Sequence, residues 1–323
     1  MDHRPGRRLK MLVAVLMLAL AAPAAAQAAT KPDVHTGGAS LVTFSSARIA
    51  GQVTPNGAAT TYFFQYGTTS LYGAQTPETA AGSGSKAVPE IADLGGLAPA
   101  TKYHYRIVAR NPKGLTKGSD RTFTTKKQPL GVTLAANPNP VGFNSPTTLA
   151  GQLTGTDNGG RQVVLQSNPY PYTQGFQNQG NPQVTDANGN FAFPLLSVPF
   201  NTEYRVQMPA KPAVVSPVVA VSVAPRITAY ASHTKVTRGK RVRIHGVVRP
   251  RRDGGQIAIQ KFKHHQWVTI TGTILKARDA DSSKYSRRVR IVHSGAYRVF
   301  TGGPDGAYGT NVSRTLHIKV RHR

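Results

Sequence analysis

The sequence predicts an all-β protein, three antiparallel β-sandwich domains in tandem behind an export signal. Three observations carry this. Apolar residues alternate with polar ones along most of the chain, turn residues break that alternation about every eight to twelve positions, and two phrases return three times at a spacing of roughly a hundred residues. Each unit opens on "IAGQV" (Ile49 to Val53), "LAGQL" (Leu149 to Leu153) or "IHGVV" (Ile244 to Val248) and closes on Tyr105-Arg106-Ile107, Tyr204-Arg205-Val206 or Tyr297-Arg298-Val299. No stretch beyond the signal shows an apolar stripe of helical period and length.

Residues 1–28 read as a signal peptide. Arg4, Arg7, Arg8 and Lys10 form a basic start, "MLVAVLMLALAA" an apolar centre, and "PAAAQAAT" a run of small residues where cleavage is expected after Ala26 or Ala28. A membrane span needs ~20 strongly apolar residues; this run fades into alanine and glutamine before that, and no later segment replaces it. The mature chain is therefore expected to be soluble, secreted, and extracellular or associated with the cell envelope. It has no cysteine, so an exported form must rest on its cores alone.

The first domain is placed at residues 31–127. "ARIAGQV" and "TTYFFQY" flank Pro55-Asn56-Gly57, where Asn and Gly tolerate the positive φ of a tight hairpin. In a strand, Tyr62, Phe64 and Tyr66 share one face and Phe63 and Gln65 the other, so three of these rings are expected to form the wall of a core and Phe63 to stand apart. The phrase "GLAPATKYHYRIVARNPKG" resembles the closing half of a fibronectin type III domain, through Leu97, Pro99, Thr101, Tyr103, Tyr105, Ala109, Asn111 and Gly114, with a last strand around Phe123. With "FQYGTTSLYG" and "SDRTFTT", the stretch from Val34 to Thr125 resembles the divergent repeats of that family in secreted actinobacterial proteins. The resemblance implies that Tyr103 is the corner tyrosine, with its ring in the core beside Leu97 and its hydroxyl bonded to an earlier backbone group. The tryptophan usual on the family's second strand is absent.

The second domain, 128–224, and the third, 225–323, match each other further: Val132-Thr133 with Ile227-Thr228, Val141 with Val236, "VVLQ" from Val163 with "IAIQ" from Ile257. Both resemble bacterial immunoglobulin-like domains. Short joints at residues 126–129 and 223–225 leave little slack. The middle domain holds only Asp157, Asp186 and Glu203 as acids, too few and too scattered for paired-carboxylate chemistry. No nucleophile elbow, zinc-protease helix or phosphate loop occurs, so no enzyme is predicted. "DANGN" at Asp186 to Asn190 could begin a calcium loop, but without further carboxylates it reads as a turn. His264-His265 on a strand would point to opposite faces with no acidic or thiol partner, and no metal or cofactor is predicted.

Charge sets the third domain apart. It has 22 Lys and Arg against 4 Asp and Glu, while the middle domain has 3 of each. In "RVRIHGVVRPRR" and "KYSRRVRI" cations alternate with apolar residues, which lines Arg241 and Arg243 on one face with Val242 and Ile244 in the core. Arg241, Arg243, Arg249, Arg251, Arg252, Arg287, Arg288 and Arg290 are the candidate polyanion-binding residues, with Arg249, Arg251 and Arg252 expected in solvent beside the Asp253-Gly254-Gly255 turn. Trp267, the only tryptophan, is the candidate aromatic contact. The expected partner is an anionic envelope polymer or polysaccharide; an extracellular setting disfavours nucleic acid. The chain reads as a non-catalytic binding or adhesion protein, and the alternative is a carbohydrate-binding accessory to a glycan-degrading system.

Overall fold

A computed structural model describes residues 28–302 and 306–321 together with Met1. The expected signal falls almost entirely outside the described residues. Every regular element among those described is a β-strand, and none is a helix able to cross a membrane. The chain divides into two compact units, Met1–Lys126 and Lys127–Arg323.

In the first unit, a sheet of Asp33–Ser40, Ser46–Thr54 and Val88–Gly95 faces a second sheet centred on Thr60–Gly67 and Lys102–Asn111. Period-two patterning seals the space between them. Ile49, Val53, Phe64, Tyr105 and Ile107 are buried at its centre, and Tyr62 joins them while Tyr66 packs at the edge. Burying each such side chain contributes about 1.5–3 kcal/mol. Phe63 lies on the opposite face, half-buried. The rings of "TTYFFQY" are therefore mainly core wall.

The strands flanking Pro55-Asn56-Gly57 do not form the expected hairpin. Ser46–Thr54 pairs with Asp33–Ser40 and Val88–Gly95, whereas Thr60–Gly67 pairs with Lys102–Asn111. The turn carries the chain from one sheet to the other. Asn56 and Gly57 do take positive φ, 55° and 81°, but the Asn56 amide donates to the Lys31 carbonyl and to Asp33, and Asn111 donates to the Pro55 carbonyl. These bonds fix the crossing.

The second unit contains two sandwiches. In the one nearer the N-terminus, Thr147–Thr154 is the centre of one sheet, and Gln162–Pro169 and Thr202–Met208 of the other. In the other, Arg241–Arg249 and Ser283–Arg290 form the centre of one sheet, and Gln256–Lys263 and Gly295–Thr301 of the other. Each opening phrase thus supplies a central strand of one sheet and each Tyr-Arg phrase a central strand of its partner. Leu149, Leu153, Val163, Leu165 and Val206 fill the first core; Val242, Ile244, Val248, Ile259 and Val299 fill the second. The joint at 223–225, expected to leave little slack, is bonded into the fold. Val223 is fully buried and pairs in parallel with Val141, Phe143 N–H donates to the Ala224 carbonyl, and Asn311 donates to the Pro225 carbonyl.

Candidate functional site

The arginine-rich strands lie side by side. Arg241–Arg249 runs antiparallel to Ser283–Arg290, and its inward residues Val242, Ile244 and Val248 are completely buried, so the odd-numbered positions face outward. The register places Arg241 directly opposite Arg290 and Arg243 opposite Arg288, followed by His245 opposite Ser286 and Val247 opposite Lys284. Across the other edge of the same strand, Arg249 stands opposite Arg226 and His245 opposite Tyr230. Three pairs of arginines therefore face one another across strands.

This face is grooved. An open trough lined by Tyr230, Arg243, His245, Arg249, Arg278 and Lys284 has Gly246 and Ser286 among its other lining residues. A smaller depression is lined by Ser232, His233, Arg241, Arg243 and Arg288, so Arg243 borders both. Among the described residues, Arg241, Arg243, Arg249, Arg288 and Arg290 make no ion pair. Of the nearby described carboxylates, Asp253 is committed elsewhere, and Asp279 lies 3.6 Å from Arg278, which lines the trough. Asp253 accepts from Ser283 at 2.6 Å and from Arg251 at 2.6 Å, bonds that hold its carboxyl below the usual range. Asp279 accepts from Ser282 at 2.7 Å.

Three of the expected arginines are not on the face. Arg251 is held in the turn by Asp253. Arg252, expected in solvent, is only 8% exposed; its N–H donates to Ser283 Oγ, its guanidinium donates to the Gly302 carbonyl and lies over the Tyr308 ring. The glycine turn that was to expose it instead folds back to pair Gly254 and Gly255 with Leu275, and this draws Arg252 inward. Arg287 has the opposite strand parity and donates to Thr271 Oγ1 at 3.2 Å. Lys284 was not among the expected residues, although strand alternation sets it on one face with Ser286, Arg288 and Arg290; Arg226, Tyr230 and Arg278 join the face only through register and loop path.

Trp267 belongs to the other sheet of that sandwich and is half-buried, with Arg298 4.3 Å from its ring centroid and Phe262 at 5.3 Å. Its surroundings recur in every sandwich. Arg106, Arg205 and Arg298, the arginines of the Tyr-Arg phrases, donate to Gln65, Gln166 and Gln260 at 2.9, 2.7 and 2.8 Å, and lie over Tyr72, Phe176 and Trp267 at 4.5, 4.2 and 4.3 Å. The glutamine clamps the guanidinium plane and the ring covers it, an arrangement favourable to cation–π contact. Each of these rings therefore already carries a guanidinium.

Tyr103 is 8% exposed and stacks on Phe123 at 5.6 Å; its hydroxyl accepts from Ala98 N–H at 2.9 Å, next to buried Leu97. His264 and His265 are not on a strand. Both have positive φ, 45° and 62°, and form the two-residue turn between Lys263 and its partner Gln266, the geometry that matches strand twist in a hairpin. In "DANGN", Asp186 accepts from the backbone N–H groups of Asn188 and Asn190 and from the Asn190 amide, all within 2.9 Å, which lowers its pKa. The loop's own donors occupy both carboxylate oxygens. No group of three or more metal-ligating side chains is found among the described residues.

No protein-family model and no curated protein matches the chain. Among solved structures, the FN1-FN3 domains of chicken CNTN1 align at 14% identity over 89% of this chain and 99% of that one, TM-score 0.31. A multi-domain segment of titin aligns at 13% over 90% and 100%, TM-score 0.37. A tetra-tandem repeat from the extending region of a large adhesion protein aligns at 12% over 90% and 75%, TM-score 0.30. Superpositions this loose carry no functional argument, and the fold assignment rests on the strand pairing and the cores.

Proposed function

We propose that the chain is an exported, non-catalytic binding protein, with a fibronectin type III-like domain at 31–127 and immunoglobulin-like domains at 128–224 and 225–323, and that it holds an anionic polymer of the cell envelope or extracellular matrix on the arginine face of its last sandwich. One observation carries the reading. Arg241 and Arg243 stand directly opposite Arg290 and Arg288, and none of the four makes an ion pair among the described residues. Like charges so placed cost ~0.2–1 kcal/mol per pair; a solubilising surface would interleave signs, whereas a concentrated field attracts polyanions. A non-catalytic role is supported by the use of the carboxylates, since Asp93, Glu78, Asp157 and Asp253 are tied to arginine or lysine and Asp186 and Asp279 to their own turns.

The purified whole chain should be retained on isolated envelope material at low salt and released as salt rises. For a flexible polyanion the logarithm of the binding constant should fall against that of salt by about 0.7 per charge neutralised. R243S/R288S should weaken retention, and R251S, which removes a cation already paired away from the face, should not. Retention that ignores salt, or that R243S/R288S leaves intact, rules the reading out.

A further inference from the structure

We infer that the polymer is a linear phosphodiester chain without bases, of the polyol phosphate class, lying along the strands with one phosphate at each arginine rung; this rests on the polyanion reading above. The pitch of the ladder matches such a chain. Arg241/Arg290 and Arg243/Arg288 are successive outward rungs of one ladder, two residues apart. Two residues of extended polypeptide are six backbone bonds and advance roughly 6.6 Å. A phosphodiester chain with three carbons between phosphates also has six bonds per repeat, so extended beside the strand it presents a charge at each rung. Polyuronates advance by whole sugar rings, and their carboxylates project alternately to opposite sides, which leaves rungs unmatched.

The paired arginines of a rung also suit the shape of a phosphate. Residues directly opposite on antiparallel strands have Cβ atoms ~4.5–5.5 Å apart, so both guanidinium groups of a rung can reach one tetrahedral phosphate, each taking a different non-bridging oxygen. Arginine pairs bidentately with carboxylate and phosphate alike; phosphate is favoured here because its tetrahedral oxygens diverge toward the two sides of the rung, whereas the two oxygens of a carboxylate lie in one plane. Beyond these rungs the ladder continues through His245 and Ser286 to Lys284, and ends on Arg249 opposite Arg226. Hydrogen-bonding side chains and further cations thus continue along the trough.

The aromatic content of the face separates a polyol chain from a nucleic acid. Tyr230 is the aromatic residue of this face that is substantially exposed, at 48%. It is already engaged, with Arg314 5.0 Å from its centroid and the His245 ring stacked at 5.9 Å. Binding of single strands relies on rings open to bases, each stack changing affinity by about one to two orders of magnitude.

The test titrates the whole chain, at one fixed salt concentration, with glycerol phosphate oligomers, oligothymidylate and oligogalacturonate of equal charge number. The glycerol phosphate probe should bind about tenfold or more tighter than oligogalacturonate, and at least as tightly as oligothymidylate. Equal or tighter binding of oligogalacturonate overturns the phosphate assignment and leaves the polyanion reading intact. Tighter binding of oligothymidylate overturns the base-free assignment. Failure of all three probes overturns the inference together with the reading it rests on. Removing one rung by R243S/R288S should lower the salt slope by about 0.7, one phosphate's share, whereas a loss of about 1.4 means two separately held charges and overturns the shared rung. R243Q/R288Q, which keeps the side-chain bulk, should give the same slope.

Discussion

Gly246 sits where a strand crosses close to its neighbour. A Cβ there would run into the carbonyl oxygen of Thr228 and lie 2.7 Å from the Tyr285 hydroxyl, and at the equivalent Gly151 it would meet the Thr133 carbonyl and the Phe191 ring. This explains why the glycine recurs in the second and third opening phrases; at Gly51 the nearest atoms are the Ile107 side chain and, at 3.1 Å, the His35 carbonyl. Gly246→Ala should cost ~1–3 kcal/mol, as overpacking does, measured by denaturant unfolding of the whole chain. Tyr103→Phe keeps the ring against Phe123 and removes the acceptor of Ala98 N–H; it should cost about 1 kcal/mol, the usual net worth of such a bond. The pH dependence has a definite sign. Asp93, Asp157, Asp186, Asp253 and Asp279 all titrate below the ordinary 3.8, through bonds from Arg48, Lys127, Asn190, Ser283 and Ser282 respectively. Their stabilisation is fully present above that value and is lost as pH falls below it. At the other end, burial raises Tyr285, and burial with Glu90 beside it pushes Tyr62 up to about 12, so the unfolded chain ionises first and stability declines above about pH 10. Thermal unfolding should show stability falling on the acid side below about pH 4 and on the basic side above about pH 10; no loss at either end would contradict this assignment.

At the scale of the strand, the arginine ladder opposes folding. Opposed cations on exposed strands repel, and salt screens them over a Debye length of about 10 Å at 0.1 M. The melting temperature of residues 127–323 within the whole chain should therefore rise as salt goes from 10 to about 150 mM. R243T should raise it at low salt, since threonine suits an outward strand position, while weakening polymer binding. Stabilisation with unchanged binding would detach the ladder from function. The Arg–Gln–ring stack shows what a strand can and cannot reveal. Tyr105-Arg106, Tyr204-Arg205 and Tyr297-Arg298 are visible as a repeat in the sequence, and period two puts the tyrosine inward and the arginine outward. That each arginine takes its glutamine from the neighbouring strand and its ring from the segment after it depends on pairing that no single strand encodes.

At the scale of the whole second unit, the last sandwich lends two residues to the core of the preceding one. Ala307 and Tyr308, which belong by sequence to the last sandwich, are buried among the core residues of the preceding one. Tyr308 packs against Phe143 at 6.1 Å and Phe200 at 6.0 Å, and Asn201 N–H donates to the Ala307 carbonyl and its amide to that of Gly306. Residues 127–323 should unfold in one cooperative transition, and Tyr308→Ala should remove ~3–5 kcal/mol, as large aromatic deletions do, and split it into two, seen by calorimetry. The sequence by itself determined the all-β class, the inward apolar residues of the opening and Tyr-Arg phrases, and the concentration of arginine in the last sandwich, because period two and composition are local properties of the chain. Only the tertiary structure decided that Pro55-Asn56-Gly57 crosses between sheets, that Arg252 is buried while Arg226 joins the face, that His264 and His265 make a turn, and that Tyr308 plugs a neighbouring core. Each of these depends on which distant segment lies alongside, and register between strands far apart in the chain is fixed by the packing of the completed sandwich rather than by any run of neighbouring residues.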